Sequence, residues 1–304
     1  MTLLAVSIAS PDTDSALAAL HQAAPVADLA ELRLDLMHEF DLLKLLNARP
    51  LPVIVTCRPQ REGGQWQDSE FNRLGALRAA AYLHADYLDL EWDASDQLTS
   101  FTPLGSRVIL SRHDFTGMLA DLPDQAAALW AAGADVVKLV GTASRLADIL
   151  PVLELMQQAT RPTIAIAMGV CGLATRLLAF RYPNTLLSFA APDSTAQRTA
   201  PGQISLAAMN DTFRVRSIGP DTRLVGWLAE DANDAPEIAA GNGWLAARGV
   251  DARLIPLQHA PGEATNETLA RLAQLLPLAG CLTSTADITG ALVELLELES
   301  PHGP

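Results

Sequence analysis

The feature that most constrains the fold of this chain is a repeat, in which a short aliphatic run precedes a longer alanine- and leucine-rich stretch with helical periodicity. Short runs rich in Val, Ile and Leu predict buried strands, and the longer stretches predict amphipathic helices. Because strands alternate with helices, the sheet should be parallel, and eight repeats favour an α/β fold of the (β/α)8 TIM barrel type. The predicted strands span 3–8, 29–34, 53–57, 87–90, 108–110, 136–140, 163–168 and 186–189.

The alternation starts again after Arg214. The stretch Ile218-Gly219-Pro220-Asp221 is typical of a linker. Beyond it, strands are predicted at 224–228, 252–257 and 280–283, and helices at 236–248, 266–276 and 288–296. We therefore expect two domains, a barrel over 1–214 and a small α/β domain over 220–298.

Composition argues against several classes of function. The formal net charge of −14 disfavours a nucleic-acid partner, which needs clustered lysine and arginine. No apolar run approaches the roughly 20 residues of a membrane helix, and we expect neither a secretory leader nor a membrane anchor. Three widely spaced cysteines, Cys57, Cys171 and Cys281, do not suit a disulfide framework or a zinc site. We expect a cytoplasmic protein without a metal site.

Charged side chains end or follow most of the predicted barrel strands. Barrel enzymes collect their chemistry at the carboxyl ends of the strands, so this placement predicts a catalytic site. An open parallel sheet gathers such residues at the same edge, so the pattern supports catalysis more firmly than it supports closure. In chain order the residues are Glu31, Arg33, Arg58, Glu91, His113, Lys138 and Arg176.

Lys138 is the most informative of them because it interrupts the apolar run 136–140. Burial disfavours a charged amine and leaves a nucleophilic fraction, which is the chemistry of a Schiff-base enzyme. His113 ends another apolar run and can move protons beside an imine, and Glu91 would fix its tautomer if the two side chains meet. Plainer readings are a structural ion pair for Lys138 and a satisfied core histidine for His113.

Short motifs up to Gln203 together resemble those of the type I 3-dehydroquinate dehydratases, and their order and spacing are specific. The stretch Met168-Gly169-Val170 departs from the family, in which a serine and a lysine commonly follow the methionine. The matching motifs are Glu31-Leu32-Arg33-Leu34-Asp35, Thr56-Cys57-Arg58 with Glu62-Gly63-Gly64, Asp89-Leu90-Glu91, Ser111-Arg112-His113-Asp114-Phe115, Lys138, Met168-Gly169 through Arg176, Ser188-Phe189 and Ala200-Pro201-Gly202-Gln203.

The resemblance implies dehydration of 3-dehydroquinate to 3-dehydroshikimate in the shikimate pathway, without a metal or an organic cofactor. Lys138 would form an imine with the substrate ketone. His113 would remove a proton from the adjacent carbon and later protonate the departing hydroxyl, with Glu91 orienting it. Arg176 would bind the substrate carboxylate, and homodimer formation stays open. The other implied substrate contacts are Glu31, Arg33, Arg58, and Thr199 and Gln203 on a loop that closes over the substrate.

The order of elements over 220–298 resembles the substrate-binding half of a shikimate dehydrogenase, as in bifunctional plant enzymes. The stretch 230–236 lacks the serine pair that binds shikimate in that family, and the stretch 283–287 lacks its lysine. No glycine fingerprint for a nicotinamide cofactor follows. We expect no dehydrogenase activity, and either a remnant kept for stability, oligomer contact or ligand regulation, or a passive appendage.

Two other functions stay open for the whole chain. A class I aldolase also uses a barrel lysine, although Arg176 and the loop with Gln203 argue against it. A non-catalytic pathway scaffold is the other, and it would have no need of Lys138, His113 and Glu91 together. A turnover assay separates these readings.

Overall fold

The computed structural model describes residues 1–101, 105–193, 199–284 and 287–298. Eight parallel strands form one sheet, and the predicted fold class is confirmed. The strands are β1 (Leu3–Ile8), β2 (Leu29–Arg33), β3 (Val53–Thr56), β4 (Tyr87–Glu91), β5 (Arg107–His113), β6 (Val136–Thr142), β7 (Thr163–Met168) and β8 (Leu187–Ala190).

The sheet nearly closes on itself. Its strand order is β7-β6-β5-β4-β3-β2-β1-β8, so each strand from β1 to β7 pairs with its neighbours along the chain and β8 returns to β1. Between β7 and β8, the amide of Thr163 donates to the carbonyl of Asn184 at 2.9 Å, and the amide of Leu186 donates to Thr163 at 3.0 Å. These two bonds bridge the remaining gap between β7 and the residues just before β8, so the strands nearly enclose the barrel interior.

Helices cover the outside of the barrel, in line with the predicted alternation. The connection between β4 and β5 is a 3-10 segment over Trp92–Ser100 with a kink at Ala94. The helical segment after β6 begins as a 3-10 turn over Leu146–Ile149 and becomes α-helical only at Leu150. The barrel helices are α1 (Thr13–Ala23), α2 (Leu42–Ala48), α3 (Glu70–Tyr82), α4 (Leu122–Ala131), α5 (Leu150–Gln158) and α6 (Leu173–Leu178).

Alternation along the strands separates an inner apolar layer from an outer one, because successive side chains point to opposite faces of a sheet. Val136 and Val140 of β6 belong to the inner cluster, whereas Val137 and Leu139 pack outward among the helices. Lys138 lies between the two inward valines and therefore faces the barrel interior. The same rule turns alternate residues of the other strands toward one shared space.

A second parallel sheet follows the barrel, with strand order β10-β9-β11. β10 lies against α6 of the barrel, and the apolar core of the second sheet is continuous with the outer layer of the barrel. The elements of this second unit are β9 (Arg223–Ala229), α7 (Pro236–Ala247), β10 (Ala252–Gln258), α8 (Asn266–Leu275), β11 (Leu278–Leu282) and α9 (Ile288–Leu295).

The predicted linker is fastened to the barrel. Arg181, after α6, donates from Nη1 to the carbonyls of Gly219 and Thr222 at 2.8 and 3.2 Å, and from Nη2 to that of Pro220. One buried guanidinium therefore satisfies three carbonyls of the connecting turn. No helix within the described ranges is long and apolar enough to cross a membrane.

Candidate active site

A pocket opens at the carboxyl ends of the barrel strands and holds about 470 Å³ of empty space, including its open mouth. Eight of the nine predicted site residues line it. Glu91 is not among the lining residues, whereas Glu62 and Phe115 are. The eight are Glu31, Arg33, Arg58, His113, Lys138, Arg176, Thr199 and Gln203.

Lys138 is buried at the floor of this pocket, but it is not isolated among apolar groups as its sequence run suggests. Its Nζ donates to Asp89 Oδ2 at 2.7 Å and lies 3.5 Å from Glu31 Oε1. The ring centroid of Phe189 lies 4.8 Å from the same nitrogen. Asp89 was missed as a site residue, although it precedes Glu91 by two positions on β4 and therefore shares its inward face.

Both carboxylates beside Lys138 are held in the ionised form. Burial opposes the charge of Asp89, but Arg58 and Lys138 outweigh it and hold the pKa of Asp89 well below its usual range. Burial likewise opposes the charge of Glu31, and here Lys138 and Arg33 bring its pKa below the usual value. The amine therefore faces two negative charges that stay in place at neutral pH.

His113, at the end of β5, meets a carboxylate that sequence analysis did not assign. Its Nδ1 lies 2.9 Å from Glu62 Oε2, and its ring stacks on Phe115 with centroids 6.2 Å apart. Burial, reinforced by the charges of Arg58 and Lys138, holds the pKa of His113 well below its usual value, so the imidazole is neutral. When ionised Glu62 accepts a hydrogen bond from Nδ1–H, the other ring nitrogen, Nε2, keeps a free lone pair and can act as a base.

The prediction that Glu91 orients His113 requires correction. Glu91 Oε1 accepts a hydrogen bond from Arg58 Nη1 at 2.7 Å, and Oε2 accepts one from Arg73 Nη1. Arg58 itself lies 3.7 Å from Glu62 and 2.9 Å from Asp89. Glu91 therefore supports Arg58, and Glu62 is the acid that contacts the histidine.

Glu62 reaches His113 because two glycines follow it. Gly63 has φ of +74°, a conformation that favours glycine, and a Cβ there would lie 2.3 Å from the ring of Phe115. A Cβ on Gly64 would lie 2.0 Å from the carbonyl oxygen of Arg58. The pair of glycines after an acid was the sequence signal for this contact, and it is indistinguishable from an ordinary turn without the fold.

Burial also changes the acidity of Glu62. It raises the pKa of Glu62 to about 7, although Arg58 acts in the opposite direction. The charges of Glu91 and Asp89 add to the rise. Glu62 is thus the pocket carboxylate whose proton is exchanged near neutral pH.

Arg176 differs from the other arginines of the pocket because no carboxylate among the described residues pairs with it. Its Nη1 and Nη2 lie 3.5 Å from the carbonyls of Phe189 and Pro201, and its buried Nε has no partner. Burial lowers the pKa of Arg176 to about 10, which still leaves it charged at neutral pH. By contrast, Arg33 makes two hydrogen bonds to Asp35 at 2.9 and 2.7 Å. Arg176 is therefore the cation left for an anionic ligand.

Thr199 and Gln203 form the wall of the pocket above Arg176. Gln203 Oε1 accepts from the amide of Thr199 at 3.0 Å, and its Nε2 lies 3.1 Å from Thr199 Oγ1. The amide of Gly169, after β7, donates to the carbonyl of Pro201 at 3.3 Å. The segment around Gln203 is thereby attached to the loop that follows β7, while 194–198 lie outside the described residues.

A buried lysine between two carboxylates, a neutral histidine and an unpaired arginine surround one pocket of a (β/α)8 barrel. The fold and the site together define an α/β-barrel enzyme with a lysine and a histidine at the carboxyl ends of its strands. Residues 4–220 match the family described as type I 3-dehydroquinase. The chain therefore belongs to the type I 3-dehydroquinate dehydratase family, as its motifs predict.

Relatives of known sequence agree with this assignment. The chain is 37% identical over 214 residues to the bifunctional 3-dehydroquinate dehydratase/shikimate dehydrogenase of Arabidopsis thaliana, a match that covers 67% of this chain and 35% of that protein. It is 32% identical over 197 residues to the 3-dehydroquinate dehydratase of Desulfotalea psychrophila, covering 62% of this chain and 86% of that protein. The match therefore spans about a third of the bifunctional relative and most of the single-domain one.

Solved structures show the same fold. The 3-dehydroquinate dehydratase of Geobacillus kaustophilus superposes with a TM-score of 0.60 at 23% identity, covering 71% of this chain and 90% of that chain. The dehydroquinate dehydratase and shikimate dehydrogenase of S. pombe gives a TM-score of 0.59 at 19% identity, covering 96% of this chain and 58% of that chain. The second likeness extends over both units, so the barrel and the unit that follows it share their fold with part of that two-enzyme protein.

Proposed function

We propose that this chain dehydrates 3-dehydroquinate to 3-dehydroshikimate through a Schiff base on Lys138. The observation that carries the proposal is that Lys138, neutral His113 and unpaired Arg176 line the same pocket. The substrate has a ketone, a C–H bond beside that ketone and a carboxylate. A nucleophilic amine, a base and a free guanidinium match these three groups in kind.

The first step forms a covalent bond to the enzyme. Neutral His113 takes one proton from the ammonium of Lys138, and the freed lone pair attacks the ketone carbon. The same proton then passes to the hydroxyl of the adduct, which leaves as water, and a protonated imine results. The positive charge of the amine is thereby retained on the imine nitrogen, next to Asp89 and Glu31. These carboxylates stabilise the iminium as they stabilise the ammonium, and the iminium draws electrons from the adjacent C–H bond.

The second step removes the hydroxyl group. Neutral His113 takes the proton from the carbon next to the iminium, and the electron pair moves toward the nitrogen. His113 then gives a proton to the departing hydroxyl, which leaves as water as the new double bond forms. Hydrolysis of the imine releases 3-dehydroshikimate and restores the amine. The iminium acts as the electron sink, so the proposal requires no metal or organic cofactor.

The remaining pocket residues bind and orient the substrate in this proposal. Arg176 binds the carboxylate, with Thr199 and Gln203 closing over it. Glu62 holds the tautomer of His113 through the 2.9 Å contact to Nδ1, which replaces the role first expected of Glu91. The ring hydroxyls are bound by the remaining polar groups that line the pocket, which are Glu31, Arg33 and Arg58.

The test is intact-protein mass spectrometry after mixing with 3-dehydroquinate and borohydride, which reduces an imine to a stable amine. We expect one adduct that maps to Lys138 and that Lys138→Ala abolishes. Lys44→Ala is the matched control, because Lys44 is an exposed lysine on α2 and its loss should leave the adduct unchanged. No adduct on folded protein with the ketone in excess, or an adduct elsewhere, would overturn the proposal in favour of an aldolase or a scaffold.

Three further expectations accompany the proposal. They are a cytoplasmic location, domain boundaries at 1–214 and 220–298, and a second unit without dehydrogenase activity. A small-molecule substrate is implied by the family, and the lack of a nucleic-acid partner stays a prediction from the sequence. The sequence leaves open whether the protein is a monomer or a homodimer. Size-exclusion chromatography with light scattering checks the homodimer directly.

A further inference from the structure

The second unit contacts the barrel next to the pocket. Asn233 lies in the 3-10 turn Ala232–Asp234 after β9, and its Nδ2 donates to the backbone carbonyl of Val170 at 2.9 Å. Val170 begins the turn between β7 and α6, one residue after Gly169. The stretch 230–236, which lacks the serine pair expected of a shikimate site, therefore makes a direct contact with the barrel beside the pocket.

The loop that contains Val170 is linked to the pocket wall around Pro201 by contacts between backbone atoms. The amide of Gly169 donates to the carbonyl of Pro201, and a Cβ on Gly202 would lie 2.3 Å from the carbonyl oxygen of Gly169. The carbonyl of Pro201 also lies 3.5 Å from Nη2 of Arg176. Because these are close backbone contacts, side-chain rotation cannot absorb a shift of the loop after β7 before it reaches Pro201.

A second contact fastens the neighbouring loop. Glu263, in the second unit, accepts hydrogen bonds from the amides of Leu146 and Ala147 at 2.9 and 3.2 Å. These amides open the 3-10 turn that follows β6, the strand of Lys138, and this turn packs against the turn Val170–Gly172. The second unit thus holds two adjacent loops at the pocket end of the barrel.

We infer that Asn233 is a positioning residue of the dehydratase site. It fixes the loop after β7 from outside the barrel, and through Gly169 and Pro201 it sets where Arg176 and the segment with Gln203 meet the substrate carboxylate. This inference rests on the proposed function. It gives the second unit a part in substrate binding by the barrel, distinct from the dehydrogenase chemistry that its own residues no longer support.

Asn233→Asp tests the inference, because it keeps the size of the side chain and places an acceptor opposite the Val170 carbonyl. We expect KM for 3-dehydroquinate to rise about three- to tenfold, the range set by the net contribution of one hydrogen bond. The value of kcat should change by less than about twofold, since Lys138 and His113 lie on strands and not on this loop. Arg271→Ala is the control: it removes the ion pair to Glu154 on α5, another contact between the units, and should leave KM unchanged.

Hydrogen–deuterium exchange of the substrate-free proteins gives a readout that does not depend on turnover. Peptides covering 168–172 should exchange faster in Asn233→Asp than in the wild type, and should not change in Arg271→Ala. An unchanged KM in a folded, active Asn233→Asp variant would overturn the inference, and so would unchanged exchange of those peptides. A wild type that fails to turn over 3-dehydroquinate would instead overturn the proposed function, and the exchange result would still decide whether Asn233 holds the loop.

Discussion

Among the single residues of the site, Arg176 is the buried cation that lacks a carboxylate partner within the described part of the chain. Its guanidinium is buried, its Nε has no hydrogen-bond partner, and no carboxylate of the described chain neutralises it. A buried charge without a partner destabilises the folded protein. Such a residue is retained where a ligand supplies the missing partner, and the destabilisation of the free protein is then part of the function.

Arg176→Met should therefore weaken substrate binding and raise the melting temperature together. Methionine fills much of the same volume without an unpaired charge. We expect KM to rise about 10- to 100-fold, as for the loss of a charge-assisted hydrogen bond, in steady-state assays of 3-dehydroquinate turnover. Arg33→Met is the comparison, because it removes the ion-pair partner of the buried Asp35 carboxylate and should lower the melting temperature. A destabilised Arg176→Met variant would contradict this account of the site.

The pair formed by Glu62 and His113 should make kcat/KM depend on pH near neutrality. The pH profile should have an acid limb, in which kcat/KM falls as the pH is lowered. Burial raises the pKa of Glu62 to about 7 and holds the pKa of His113 well below its usual value, so Glu62 takes up a proton first as the pH falls. Protonated Glu62 donates to Nδ1 and moves the ring proton to Nε2, which removes the base. In the wild type we expect kcat/KM to fall as the pH drops through about 7. In Glu62→Gln we expect no acid limb, with kcat/KM lower than in the wild type and constant across this pH range.

Glu91→Gln is the matched control for that profile, since Glu91 contacts Arg58 and not the histidine. The variant should keep the acid limb. The limb should move to lower pH, because the negative charge of Glu91 contributes to the raised pKa of Glu62. If the limb vanished in Glu91→Gln and persisted in Glu62→Gln, the assignment made from sequence would be restored.

At the scale of elements, the sequence predicts strands well where apolar residues alternate and poorly where buried polar residues continue the strand. The strand predicted at 108–110 extends over Arg107–His113, because Ser111 and His113 point inward and bond to polar partners. Apolar periodicity contains no signal for such residues. The connection after β4 is hard to predict from the sequence for a related reason, since its 3-10 turns lack the period of an α-helix.

The misassigned acid has a geometric cause. Glu91 and His113 end neighbouring strands, so the sequence places them close together. The long side chain of Arg58 extends from the end of β3 and forms an ion pair with the Glu91 carboxylate. Glu62 comes from a turn whose path depends on two glycines, and such a path follows from packing that a strand pattern does not contain.

The turn after β3 offers a test of this geometry. Gly63→Ala places a methyl group at the ring of Phe115 in a backbone conformation that alanine resists, so the turn must move and carry Glu62 away from His113. We expect kcat to fall by about 100-fold or more, the lower end of the contribution of a positioned acid or base, measured at pH 8 where Glu62 is ionised. Gly75→Ala is the control: nothing lies within 4 Å of its Cβ position in helix α3, so stability should rise by about 0.5–1 kcal/mol with kcat unchanged. Equal activity of the two variants would rule out a positioning role for the turn.

On the scale of the whole molecule, the two units share one apolar core. Residues of β9, β10 and α7 belong to the same buried cluster as the outer layer of the barrel, and β10 packs against α6. Arg181 ties the connecting turn to the barrel, and Asn233 and Glu263 tie the second unit to its pocket end. A continuous core of this kind favours cooperative unfolding of both units over independent melting.

Leu245→Ala tests that cooperativity because it weakens the core of the second unit without changing a residue of the barrel. Leu245 is fully buried in α7, so its truncation should lower the free energy of unfolding by about 2–5 kcal/mol. If the units unfold together, calorimetry shows one transition, and the temperature at which dehydratase activity is lost falls with it. Leu43→Ala makes the same chemical change at a side chain that is 55% exposed on α2, and it should move neither temperature. An early, separate transition in Leu245→Ala, with activity retained to the wild-type temperature, would show instead that the barrel is stable without its neighbour.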